Sequence, residues 1–149
     1  MKTLVNEISI RYNGKMKIAQ APKINSSNHA FEVLYASWNL DCIGIQEQFK
    51  VMLLNNSNRV KGIYLLSSGG ITATLVDIRI LFAVVLKSLT TGIILCHNHP
   101  SGNLTPSSAD KQLTQKIKQA GDLLDVKLLD HIILTPDKTY YSFADEGLL

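Results

Sequence analysis

The chain has 149 residues, 46% of them hydrophobic and 18% charged, which is enough apolar material for one buried core and fits one domain better than two. Fifteen Lys and Arg against 12 Asp and Glu leave a net charge of +3, with an isoelectric point near 8.9. The lysines are scattered, with no basic stripe and no interleaved aromatics, so nucleic acid is a weakly supported partner; no apolar run approaches the ~18–20 residues of a membrane-spanning helix.

Lys2, Asn6 and Glu7 interrupt the first ten residues, unlike the basic-then-apolar layout of a secretory signal, so a cytoplasmic location is expected. Cys42 and Cys96 form no Cys-x-x-Cys pair and no disulfide framework, and both read as buried thiols.

In chain order, Leu4–Arg11 and Lys15–Ala21 alternate around Asn13-Gly14, a strong hairpin signal that predicts an N-terminal β-ribbon over residues 1–27 ahead of a domain over 28–149. Ser27 or Asn28 can cap a helix carrying Phe31, Leu34, Tyr35 and Trp38, aromatics better placed for a core than for a binding platform. Phe49–Leu54 and Val60–Leu66 read as strands joined by the turn Asn55-Asn56-Ser57-Asn58, a second hairpin. Leu75–Leu89 is apolar nearly all round at helical spacing, which predicts a helix buried between layers. Gly92–Cys96 reads as a buried strand, Pro106–Leu124 as a polar helix opened by Thr-Pro-Ser, and Val126–Leu134 and Thr139–Phe143 as further strands. Helices inserted between strands make the class a mixed α/β, α+β-like fold with a mixed sheet flanked by helices.

The chemistry concentrates between Cys96 and Asp110. His97 and His99 lie two apart at a strand end, and strand side chains alternate, so both rings face one side and can reach one metal. Pro100 to Gly102 turns the chain, and Asp110 falls near the first turn of the next helix, where it can swing back as a third ligand. Two imidazoles and a carboxylate suit Zn2+ with a fourth position open for water, the arrangement of a catalytic site. Glu47 opens the strand that carries Phe49 and can serve as the general base. Ser107, three residues before Asp110, can help an oxyanion beside the metal. Each residue also has a plainer reading: Ser107 as a helix cap, Asp110 as a first-turn carboxylate, Glu47 as a solvated strand end.

His97-x-His99, seven residues, Ser107, two residues and Asp110 match the metal signature of the JAMM domains, also called MPN or JAB. Within them, His97-Asn98-His99-Pro100-Ser101-Gly102-Asn103, then Pro106-Ser107, Leu129-Asp130-His131 and Tyr141-Ser142-Phe143-Ala144-Asp145-Glu146-Gly147 resemble the bacterial RadC group over about residues 28–149. The resemblance implies a JAMM/MPN, cytidine deaminase-like fold, zinc on His97, His99 and Asp110, Glu47 as acid/base at a Glu-x-Phe position, and Ser107 as oxyanion helper. RadC proteins resemble, at their front, a longer helical region with helix-hairpin-helix character, and the segment before residue 28 does not match it.

His131 lies in an apolar strand and reads as structural, with an orienting role behind a metal ligand as the alternative. Cys96 points away from His97 and belongs to the core. The contiguous letters His97-Asn98-His99 are a coincidence with the name of a nuclease family whose residues are dispersed. The expected activity is a zinc-dependent, metallopeptidase-like attack on an amide or isopeptide carbonyl, with a peptide or protein substrate. The alternatives are a non-catalytic, DNA-repair-associated module that binds a partner or DNA around a structural metal, and a metal-dependent nuclease, which a mononuclear site supports poorly. Short strands offer edges at which a dimer can pair.

Overall fold

The computed structural model describes residues 4–9, 11–70 and 74–149. Five strands, β1 (Gln48–Leu54), β2 (Val60–Ser68), β3 (Gly92–Asn98), β4 (Lys127–Leu134) and β5 (Tyr140–Ser142), form one sheet in the order β2-β1-β3-β4-β5. Three helices, α1 (Ser27–Ala36), α2 (Ile78–Lys87) and α3 (Ser108–Leu123), flank it. β1 runs antiparallel to both β2 and β3, while β3 and β4 are parallel and joined through α3, the connection that parallel neighbours require. This is the mixed sheet flanked by helices that the order of elements predicts.

The two-residue period of the strands sorts side chains into two cores. Met52, Leu54, Ile94, Cys96, Ile132 and Leu134 pack beneath Ala30, Phe31 and Leu34 of α1. On the other face Phe49, Val51, Leu53, Ile93 and Leu95 meet Leu81, Phe82 and Val85 of α2 and Ile117 of α3. Burying such a side chain contributes roughly 1.5–3 kcal/mol, so both helical layers are held mainly by apolar contact. Cys96 is fully buried, as expected, whereas Cys42 is only partly so.

Helix ends follow local chemistry. The cap of α1 is Ser26, whose hydroxyl accepts from the His29 N–H at 3.0 Å, one residue earlier than expected, and Trp38 lies beyond the helix yet is buried. In α3, Gly121 is required by a close approach: a Cβ there would stand 2.5 Å from the Val126 carbonyl oxygen.

Two expectations fail. The alternating N-terminal stretches form no strand among the described residues; Ile18–Gln20 is a single 3-10 turn, and Leu4, Val5 and Ile8 are exposed. Residue 10, inside the first expected strand, lies outside the described residues. A two-stranded ribbon has no core of its own, and here the segment meets the sheet without pairing as strands, through the Tyr12 hydroxyl on the Lys61 carbonyl at 2.9 Å, the Lys23–Arg59 bridge and the Val60 N–H on the Pro22 carbonyl. The second failure is α2, which is shorter than Leu75–Leu89 and buries one face, with Ile80 and Leu86 exposed. With Ile80 and Leu86 about half exposed, its all-round apolarity does not make it a central helix. None of the helices among the described residues is long and apolar enough to cross a membrane.

Candidate metal centre

The centre forms where the C-terminal end of β3 meets the start of α3. Ile93, Leu95 and His97 alternate onto the α2–α3 side. His97 pairs in register with Phe49 of β1, and their rings stack at 5.7 Å with planes 5° apart. The His99 N–H donates to the Leu134 carbonyl at 2.9 Å, which extends the β3–β4 ladder and keeps its ring on the side of His97. The Nε2 atoms of the two rings stand 2.9 Å apart.

After His99 the chain reverses through a turn closed by the Gly102 N–H on the His99 carbonyl at 3.0 Å, with Gly102 at φ +82°, a conformation that suits glycine. Ser107 then caps α3. Its hydroxyl accepts from the Asp110 N–H at 3.0 Å, and an Asp110 carboxylate oxygen accepts from the Ser107 N–H at 2.9 Å, a reciprocal capping box. The box holds the Asp110 carboxylate against the rings, 3.4 Å from His97 Nε2 and 3.6 Å from His99 Nε2. The capping reading of Ser107 is thus realised. Its hydroxyl proton remains to donate elsewhere, because the bond it makes in the box is as an acceptor.

Glu47 precedes β1, two residues before Phe49, so it shares the face of His97. Its backbone is fixed on one side by β2's extension, with its N–H on Gly70 at 3.2 Å and its carbonyl accepting from Gly69 at 2.8 Å. On the other side stands Asn98, whose buried side chain accepts from the Gln48 N–H at 2.7 Å and donates to the carbonyls of Ile43 at 2.8 Å and Gln46 at 2.9 Å. Glu47, His97 and His99 each bring a ligand atom within 4.8 Å of the others, a group able to hold a metal ion. Asp110 stands outside that tightest group yet within 3.4 and 3.6 Å of the same nitrogens. Glu47, Thr74, His99, Ser101, Ser107 and Asp110 border one open cleft.

The two carboxylates differ. Burial pushes the Glu47 carboxyl above its ordinary value of 4.5, only partly offset by His97 and His99. Burial would also raise Asp110, but wherever His97 and His99 carry a proton on Nε2 their hydrogen bonds outweigh it and hold that carboxyl well below the usual carboxylate range. Asp110 is accordingly an anion, and Glu47 the one suited to take up and release a proton. At His99 burial acts downward, and Asp110 together with the Asn103 carbonyl reverses it, leaving the imidazole above 6.5.

The donor set suits a cation. His99 Nδ1 lies 2.5 Å from the Asn103 carbonyl oxygen, an acceptor only, so Nδ1 carries the proton and Nε2 of the neutral ring keeps its lone pair. That lone pair faces His97 Nε2 and the Asp110 carboxylate. Electron-rich atoms at such distances repel unless a proton or metal stands among them.

His131, taken from its apolar strand as structural, lies against the site: its Nε2 is 2.8 Å from His97 Nδ1, and its Nδ1 is 2.6 Å from the Thr114 hydroxyl. It is fully buried and stacks on Phe143 at 4.6 Å. Thr114 lies in no motif, and Asn98 entered the sequence reading only within the RadC-like run His97 to Asn103, with no role of its own.

The sequence profile of the RadC-like JAB domain family matches residues 24–148. The chain belongs to that family. A UPF0758 protein of Flavobacterium johnsoniae is 53% identical over 133 residues, covering 88% of this chain and 56% of the relative. A UPF0758 protein of Porphyromonas gingivalis is 46% identical over 104 residues, 70% of this chain and 46% of its own length. One from Geotalea uraniireducens is 33% identical over 143 residues, 96% of this chain and 60% of that protein. This RadC-like JAB domain therefore spans about half the length of the curated relatives it matches.

Proposed function

We propose that this RadC-like JAB domain is a zinc-dependent hydrolase that cleaves an amide or isopeptide bond in a peptide or protein, with His97, His99 and Asp110 as metal ligands and Glu47 as general acid/base. The observation that carries the reading is the convergence of the His97 and His99 Nε2 atoms with the Asp110 carboxylate beside a cleft bordered by Glu47, His99 and Asp110. Two imidazoles and one carboxylate are a donor set of catalytic zinc sites, and three protein ligands leave a position open.

The ion, when bound, supplies positive charge that polarises a carbonyl oxygen and makes a nearby water more acidic. The remaining work falls to the protein. Glu47 takes a proton from the attacking water and delivers it to the leaving nitrogen as the carbon–nitrogen bond breaks, so that water is divided between acid and amine. Its raised affinity for a proton, due to burial, suits that exchange. The Ser107 O–H lies on the rim of the same cleft and donates toward the oxyanion that forms on the carbonyl. Asp110, locked by the capping box, keeps its negative charge on the metal rather than on the substrate.

Zinc-loaded wild type and Glu47→Gln should be incubated with a set of unstructured peptides, with single-stranded DNA as a control. Peptide cleavage by wild type that drops by at least about 100-fold in Glu47→Gln, at equal zinc content, supports the reading. Unchanged turnover in Glu47→Gln removes Glu47 from its role, and cleavage of DNA alone replaces the peptidase with a nuclease.

A further inference from the structure

We infer that Thr114 and His131 are positioning residues that fix the tautomer of His97, so that its ring lone pair lies on Nε2 and faces the cluster with His99 and Asp110. The assignment follows from where hydrogens can go. The Thr114 hydroxyl is 2.6 Å from the Asp110 backbone carbonyl and 2.6 Å from His131 Nδ1. A carbonyl oxygen only accepts, so the one hydroxyl proton of Thr114 is committed to Asp110, and the hydroxyl oxygen must accept from His131. Nδ1 of His131 therefore carries its proton, and Nε2 of the neutral ring is an acceptor. That Nε2 lies 2.8 Å from His97 Nδ1, which must then be the donor. One direction of donation runs from His97 through His131 and Thr114 to Asp110, and its end is a lone pair on His97 Nε2.

The order is enforced by burial. His131 and Thr114 are both fully buried and His97 nearly so, so no solvent offers the rings alternative partners, and reversing one proton leaves two donors or two lone pairs face to face. Phe49 and Phe143 hold the rings by stacking on His97 and His131, at 5.7 and 4.6 Å. The acceptor that starts the chain is the backbone of Asp110, whose side chain faces the same nitrogens. Thr114 lies four residues after Asp110, one turn along α3, so the helix that offers the carboxylate also sets the proton order of the histidine opposite. Nothing in the local pattern of β4 reports this; the parallel register with β3 brings His131 beside Leu95, two residues before His97.

The inference rests on the zinc reading for its purpose, but its proton order is measurable without metal. Imidazole nitrogen chemical shifts in chelator-treated, folded protein at neutral pH should show His131 protonated on Nδ1 and bare on Nε2, and His97 likewise. Thr114→Val, which keeps the shape but removes the hydroxyl, should lose the single His131 tautomer and bind zinc about 10- to 100-fold more weakly; Thr114→Ser should restore both. A merely structural Thr114 would change stability in Thr114→Val without moving the tautomer. His131 protonated on Nε2 in wild type overturns the relay, as does folded Thr114→Val with wild-type tautomers and zinc affinity. If wild type takes up no zinc, the metal reading fails, while the nitrogen shifts still decide the relay.

Discussion

Asn98, the residue between His97 and His99, ties its side-chain oxygen to the backbone N–H of Gln48 at 2.7 Å and so fixes the residue next to Glu47. Because strand side chains alternate, His97 points to the α2–α3 face while Asn98 points to the other, where its amide reaches the carbonyls of Ile43 and Gln46. The histidines and the loop that carries Glu47 are thereby set in one frame by one strand. Asn98→Ala leaves three backbone groups without their partner in the protein. A loss of about 3 kcal/mol in urea unfolding is expected, with zinc content retained and peptide hydrolysis reduced well beyond the loss of folded protein. Full hydrolytic activity in folded Asn98→Ala would show that Glu47 is held by β2 alone.

Gly121 tests how α3 is seated. Alanine is favoured over glycine inside a helix by about 1 kcal/mol. At Gly121, however, the added Cβ would lie 2.5 Å from the Val126 carbonyl oxygen, and that oxygen belongs to backbone at the entry to β4. Overpacking of this kind costs about 1–3 kcal/mol or more, so the clash wins. Gly121→Ala should unfold at lower urea than wild type and should weaken zinc binding through displacement of α3. A variant more stable than wild type would show that the helix can shift at no cost.

Asp130 gives a stability profile with a definite sign. Its buried carboxyl accepts from the Ser142 hydroxyl at 2.6 Å and from the N–H groups of His131 and Ala144 at 2.7 and 3.0 Å. Burial outweighs these bonds and raises it above its ordinary value of 3.8. Between 3.8 and the folded value, the folded chain holds a proton that the unfolded chain has lost, so this contribution is full below 3.8 and is lost as pH rises through the folded value. Asp130→Asn removes the titration. Its penalty, read from urea midpoints in chelated protein, should therefore be larger near pH 4 than at pH 7. A penalty that grows toward pH 7 contradicts the assigned direction.

Most of the sheet and the convergence of His97, His99 and Asp110 were legible because their signals are local. β1, β3 and β4 read as apolar runs, the Asn55–Asn58 turn closes a hairpin, and the spacing of His97, His99, Ser107 and Asp110 is carried by one strand, one turn and one helix start. What was not legible depends on partners distant in sequence. The N-terminal alternation around Asn13-Gly14 carries a turn signal but has no sheet face to cover it, and Leu4 and Ile8 stay exposed. The apolar outer side of α2 is indistinguishable by period from a central helix. For His131 the apolar strand favoured a structural reading over the orienting one, and the β3–β4 register decides between them by setting it behind His97. Ser107 could be read from its spacing alone as cap or as oxyanion donor, and the capping box accounts for one of its hydrogen-bonding capacities while leaving the other.

The most direct test of the account is the zinc content, by elemental analysis, of folded wild type, His97→Ala, Asp110→Ala and Glu47→Gln purified without chelator or metal-affinity tag. The account predicts about one zinc per chain in wild type and Glu47→Gln and little in the other two. Folded wild type that carries no zinc and takes up none when it is added would contradict it.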